Sequence, residues 1–318
     1  MSPLSRPALS GPPVRTPLLS LGSAHGWQDL LLKDETQQRS GAFKFRGVWR
    51  STGRYPAGTV LVTASTGNHA SALAEAAHAR GQHARVYLPA ATPDAKLRRV
   101  AQWGGETVAV AGGYDDCEAA ARADADRGRG VFVHSFDDAG IIAGHRSLFV
   151  EAAAQGGLPD VVYLPLGGGG LITAAIREWG ATGVRIVGVE YAGAPAMGAS
   201  LAAGRRVTLA SAAGLPEGLL VRRIGALAFE ACRSRRPEVV TVEDHELHRA
   251  MALLWTHAGI RAEAAGAAAV AAALRERGPG RRALAVVSGG NIDQPLWQHC
   301  VEAAGSRAAG GLRTSRGA

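Results

Sequence analysis

Short apolar, β-branched runs alternate with alanine-rich stretches of helical period along most of this chain. TVLVTAS (59–65) precedes ASALAEAAHARG (70–81), ARVYLP (84–89) precedes DAKLRRVAQWG (94–104), and ETVAV (106–110) precedes DDCEAAARADA (115–125). VVYLPL (161–166) precedes LITAAIREWG (171–180), and IVGVE (186–190) and ALAVVS (283–288) complete the series. A strand followed by a helix, repeated, predicts an α/β fold with parallel sheets sandwiched by helices. In such sheets ligands gather where loops leave the carboxyl ends of the strands.

Composition narrows the class. With 318 residues, 47% of them hydrophobic, the chain can build a large core in one or two domains. Its net charge of +8 comes from arginines scattered in ones and twos, with no basic block, so no nucleic-acid partner is expected. Cys117, Cys232 and Cys300 are odd in number and far apart, which predicts reduced thiols in a cytoplasmic protein and no zinc site. The opening residues lack an apolar signal core, and the apolar run 266–274 is too short to cross a bilayer, so no membrane association is expected. The proline-rich opening and a tail over 310–318 read as loosely held ends.

Three strand ends carry unusual loops. TASTGNHA (63–70) places small hydroxyl residues, a glycine, an amide and an imidazole at a helix start. That is a seat for an anion such as a carboxylate, or an ordinary N-cap by Ser65 or Thr66. PLGGGGLITA (165–174) sets four glycines after an apolar strand, where backbone N–H groups can converge on a phosphate at the following helix. VVSGGNID (286–293) turns sharply after Ser288, a pattern that by itself is also plain turn chemistry.

One further stretch, RSGAFKFRG (39–47), holds a lysine where the chain otherwise uses arginine. Of 35 lysines and arginines only Lys33, Lys44 and Lys96 are lysine. Lysine becomes a nucleophile when desolvated, and arginine does not.

Taken in order, KDETQQRSGAFKFRG, STGNHA, GGGGL and SGGNID resemble the motifs of the pyridoxal-phosphate enzymes of tryptophan-synthase-β fold (fold type II), in the serine/threonine dehydratase and serine racemase branch. The resemblance implies two open twisted sheets flanked by helices, with a small domain (49–141) inserted in a larger cofactor-binding domain (1–48 and 142–309). It implies pyridoxal 5'-phosphate held covalently by Lys44, with Phe43 against its ring, Asn68 at the ring oxygen, Ser288 at the pyridine nitrogen and Glu263 nearby. Gly167, Gly168, Gly169, Gly170 and Leu171 would hold the phosphate. Ser65, Thr66, Gly67, Asn68 and His69 would bind the substrate carboxylate, and Lys44 and Thr66 would be catalytic. The reaction implied is α,β-elimination of a small β-hydroxy amino acid to a 2-oxo acid and ammonia, in a homodimer. Racemisation or β-replacement on the same cofactor, and a catalytically silent binding descendant, are the alternatives.

The sequence departs from that pattern in places. At AGHRS (143–147) the family reads AGQGT, so His145 and Arg146 mark either an exposed helix start or an unusual, acidic or bulky substrate. Glu190 matches one ligand of a cation site in relatives, but Ala196 stands where an Asp would be, and no metal is expected. In PEGLLVRRIG (216–225), Glu217 is expected to alter polarity near the substrate side chain.

Overall fold

The computed structural model describes residues 11–23, 26–276, 278 and 280–310. The first ten residues and the tail beyond Gly310, expected to be loosely held, lie outside that set. From Pro12 onward the opening segment is tied down. Arg39 Nε donates to the Pro12 carbonyl, and Gln38 exchanges hydrogen bonds with both the N–H and the C=O of Val14.

The strands are β1 (Leu18–Ser20), β2 (Asp29–Asp34), β3 (Val60–Ala64), β4 (His83–Pro89), β5 (Glu106–Val110), β6 (Val131–Phe132), β7 (Val161–Pro165), β8 (Arg185–Tyr191), β9 (Glu238–Val242) and β10 (Arg282–Val287). The helices are α1 (Lys44–Thr52), α2 (Asn68–Ala79), α3 (Asp94–Ala101), α4 (Tyr114–Asp126), α5 (Ala139–Gly156), α6 (Gly170–Trp179), α7 (Ala196–Ala202), α8 (Ala226–Arg235), α9 (Asp244–Ala258), α10 (Ala264–Arg275) and α11 (Gln294–Gly310). Every strand and helix expected from the hydrophobic pattern is present.

Two sheets form. One has six strands in the order β1-β2-β10-β7-β8-β9, parallel except for β1, and the other has four parallel strands in the order β5-β4-β3-β6. Alternation along the strands explains why both faces of the larger sheet are covered. Leu30, Leu32, Val187, Val189, Ala283 and Ala285 feed one core, while Leu31, Val162, Leu164, Leu284 and Val286 feed the other. Helix α10 packs directly on the sheet because its sequence, AAGAAAVAAALR, keeps side chains short on every face.

Helix α1 crosses the domain boundary expected between residues 48 and 49, and packs on both α5 and α2. It is held by a buried ionic cluster. Arg46 donates two hydrogen bonds to Glu35 and two to Glu151, and Lys33 bonds Glu151 at 2.6 Å. Lys33, Glu35 and Arg46 are almost fully buried. Removing one partner from such a cluster strands the others without water, so it fixes the helix that begins at Lys44.

Candidate active site

A cavity of about 930 Å³ opens between the carboxyl ends of the two sheets. Its walls are the loops singled out in the sequence: Phe43 and Lys44, the segment 65–69, the four glycines with Leu171, then Glu263 and Ser288. The chain folds these stretches, up to 245 positions apart, onto one space because each follows or flanks a parallel strand end.

Lys44 opens α1, and its Nζ donates to the Ser135 carbonyl at 2.9 Å. It has no carboxylate partner among the described residues. Burial alone pushes its amine down to about 8. Phe43 is positioned by a hydrogen bond from its N–H to the Ser288 carbonyl, and Ala42 pairs with Gly289, so the lysine loop and the β10 turn are stitched together.

Asn68, at the start of α2, has its amide oriented from both sides. Nδ2 donates to Glu263 at 2.6 Å, and Oδ1 accepts from Asn291 Nδ2 at 2.8 Å, which also donates to the Ser40 carbonyl. One Nδ2 hydrogen stays free for a further acceptor. Burial lifts the Glu263 carboxyl to about 7 against the lowering effect of the Asn68 hydrogen bond.

In the 65–69 loop, Ser65 Oγ accepts from the Gly67 N–H at 3.2 Å, closing a small turn. Thr66 lines the cavity. The His69 ring is turned inward: Nε2 lies 3.3 Å from the Val133 carbonyl, so it carries the proton, and burial first, then the Lys44 charge, pushes its pKa down to about 3. What His69 offers an anion at this helix start is its backbone N–H, which has no intrahelical acceptor.

The glycine loop needs its glycines for two different reasons. Gly169 has φ of 89°, which a side chain would strain. A Cβ on Gly168 would fall 2.2 Å from the Phe136 ring, and one on Gly167 would fall 2.6 Å from the Gly218 carbonyl. The loop therefore presents bare backbone at the N-terminus of α6, where N–H groups point outward.

Residues that the motifs do not include complete the walls. Tyr114, Ser135, Phe136 and Asp137 come from the four-stranded side, and Asp137 accepts the Ala226 and Leu227 N–H groups at the start of α8. The stretch VHSFDD (133–138) has the same signature as the other loops, a short apolar strand ending in serine and aspartates, but that strand is only two residues long. Asn291 belongs to the SGGNID motif, and only its folded contacts show that it orients Asn68.

One sequence expectation changes. His145 is not at an exposed helix start: it lies inside α5, 0% exposed, against Phe43. Arg146 is on the outer face and pairs with Glu178 at 2.8 Å, away from the cavity. Glu217 lines the cavity and is paired with Lys96 at 2.5 Å. Glu190 accepts the Met197 and Gly198 N–H groups at the start of α7, and burial pushes its carboxyl up to about 7.

Comparison with known proteins gives the same picture. The L-threonine ammonia-lyase of Geobacter sulfurreducens is 37% identical over 275 residues, covering 83% of this chain and 67% of that protein. The structure of the processed form of threonine deaminase isoform 2 from Solanum lycopersicum superposes with a TM-score of 0.85 at 28% identity, covering 92% of this chain and 89% of that one. Maize serine racemase superposes with a TM-score of 0.81 at 28% identity, covering 93% and 94%. The chain spans about two thirds of the length of the curated relatives it matches. The family described as pyridoxal-phosphate dependent enzyme matches residues 9–289, and the chain belongs to it.

Proposed function

We propose that the protein catalyses α,β-elimination from a small β-hydroxy amino acid such as threonine or serine, releasing a 2-oxo acid and ammonia. The observation that carries this reading is Lys44, a half-buried, desolvated amine with no acidic partner among the described residues, set on a cavity whose other walls suit an anion, a phosphate and a heteroaromatic ring.

The residues present fit pyridoxal phosphate. The glycine loop is a cradle that a Cβ at Gly167 or Gly168 would fill, and it ends on the first turn of α6. Asn68 keeps one amide hydrogen for the ring oxygen, Phe43 forms a flat apolar wall, and Ser288 supplies a neutral hydroxyl for the ring nitrogen. When bound, the cofactor supplies an electrophilic carbonyl for amines and a sink for the electrons released at Cα.

Lys44 would anchor the cofactor and, once displaced by the substrate amine, take the Cα proton as general base. Its lowered pKa keeps a useful fraction unprotonated near neutrality. The N–H groups at the start of α2, with Ser65 and Thr66, would hold the substrate carboxylate. A hydroxyl at Ser288 lends the ring nitrogen no charge, which favours quick loss of a β-leaving group over a long-lived carbanion.

Similarity to threonine ammonia-lyases over most of the chain supports elimination. Thr66 favours a second reading, racemisation, because it keeps a hydroxyl on the cavity wall. A panel of β-substituted amino acids scored together for 2-oxo acid, ammonia and chirality tests both. Elimination is expected to dominate, and L-to-D conversion faster than 2-oxo acid release overturns it. In the same assay Lys44→Ala is expected to lose the borohydride-trapped adduct and turnover together.

A further inference from the structure

His145 takes no part in the chemistry above, yet its surroundings are tightly built. The ring is 0% exposed, and neither nitrogen has a hydrogen-bond partner among the described residues. Its centroid lies 4.7 Å from that of Phe43, tilted by 50°. Two glycines make the space. A Cβ on Gly47 would fall 2.5 Å from His145 Cε1, and one on Gly144 would fall 2.4 Å from the Arg46 carbonyl. Helices α1 and α5 thus meet closely enough to clamp the imidazole against Phe43, which itself lines the cavity.

A polar ring buried without partners is unfavourable for stability, and an aliphatic side chain would fill the same volume without that penalty. What the imidazole adds is an aromatic ring that packs against an aromatic neighbour in a tilted geometry. Burial first, then the charge of Lys44, keeps the ring neutral, so it brings no charge to the cofactor side.

We propose that His145 is a positioning residue: it holds the Phe43 ring in one orientation and so sets the tilt of the cofactor ring relative to Lys44. The proposal rests on the placing of Phe43 against the cofactor given above, and not on which reaction the enzyme catalyses.

Two signals report the orientation directly. The visible circular dichroism of the holoenzyme measures how firmly the cofactor is fixed in an asymmetric setting. The fluorine resonance of 4-fluorophenylalanine at position 43, identified by its loss in Phe43→Leu, reports the ring in cofactor-free protein. His145→Ala is expected to weaken the visible dichroism per bound cofactor and to raise the cofactor dissociation constant by up to about tenfold, the scale of one lost aromatic pair. It should also move the residue-43 resonance toward its unfolded position. His145→Gln, which removes less volume, serves if the alanine variant does not fold, and the same changes are expected. Leu148→Ala, in the core on the same helix, should lower thermal stability and leave all three readings unchanged. Wild-type dichroism, affinity and resonance in folded His145 variants overturn the proposal. If those signals respond as stated while no β-hydroxy amino acid yields a 2-oxo acid, the elimination reading falls and the role of His145 stands.

Discussion

Lys44 differs from the other two lysines only in what surrounds it. Lys33 is buried but bonded to Glu151, Gln155 and the Thr16 carbonyl, and Lys96 is paired with Glu217. Among the described residues Lys44 has a single hydrogen-bond partner, a carbonyl, and desolvation lowers its amine from the ordinary 10.5 to about 8. Only the unprotonated amine attacks a carbonyl, so capture of pyridoxal phosphate by cofactor-free protein should speed up as pH rises through about 8 and then level off. A rate still climbing toward pH 10.5 would mean that Lys44 is as solvated as a surface lysine. Thr66, on the cavity wall, is the residue expected to set the balance between elimination and racemisation. Its methyl restricts χ1, and return of a proton to Cα needs a hydroxyl aimed at that atom. Thr66→Ser should therefore raise the ratio of racemisation to elimination, and Thr66→Ala should suppress racemisation while sparing ammonia release; a chiral assay run beside an ammonia assay reads both.

Among the elements, the glycine loop before α6 has little room for change. Gly168→Ala would drive a methyl into the Phe136 ring at 2.2 Å, a contact in which the neighbour is the ring carbon nearest its own backbone rather than a free tip. Overpacking of this kind costs about 1–3 kcal/mol, and here the strain falls on the loop proposed to seat the phosphate. The expected result is a lower midpoint in urea together with weaker retention of cofactor on gel filtration. Unchanged retention would separate the loop from the phosphate. Helix α1 shows the opposite strategy, since its position is fixed by charge. Burial works to raise the Glu151 carboxyl, but hydrogen bonds and charges from Arg46 and Lys33 override it and hold it at about 2. Above the ordinary carboxylate value this interaction is fully present, and it is lost as pH falls toward 2.

At the scale of the molecule, three ion pairs among the described residues link the helices of the four-stranded sheet to loops of the six-stranded one beside the cavity. Lys96 meets Glu217 at 2.5 Å, Arg99 meets Asp293 at 3.6 Å, and Asp115 meets Arg222 at 2.8 Å. Each is partly exposed and worth at most about 1 kcal/mol, and salt screens it. If closure of these walls on substrate completes the site, KM should rise with ionic strength while kcat changes little. Lys96→Glu should mimic high salt, and adding Glu217→Lys should restore the wild-type salt profile. A KM indifferent to salt and to both changes would remove the pairs from closure. The strand and helix pattern and the four motif loops were legible in the chain because period and composition act over a few residues. The antiparallel β1, the two-residue β6 with its wall residues Ser135 to Asp137, and the link from Asn291 to Asn68 were not, because each depends on partners far away in sequence. His145 shows the same limit most clearly. Its neighbours in sequence include an exposed arginine, and only the close crossing of α1 and α5 at Gly47 and Gly144 turns its ring into the core. By itself the sequence determined the fold class and the cofactor family, since those rest on local pattern and motif order. Which side chains are desolvated, paired or left without a partner was decided by the tertiary structure, because burial and electrostatics depend on everything packed around a group rather than on its place in the chain.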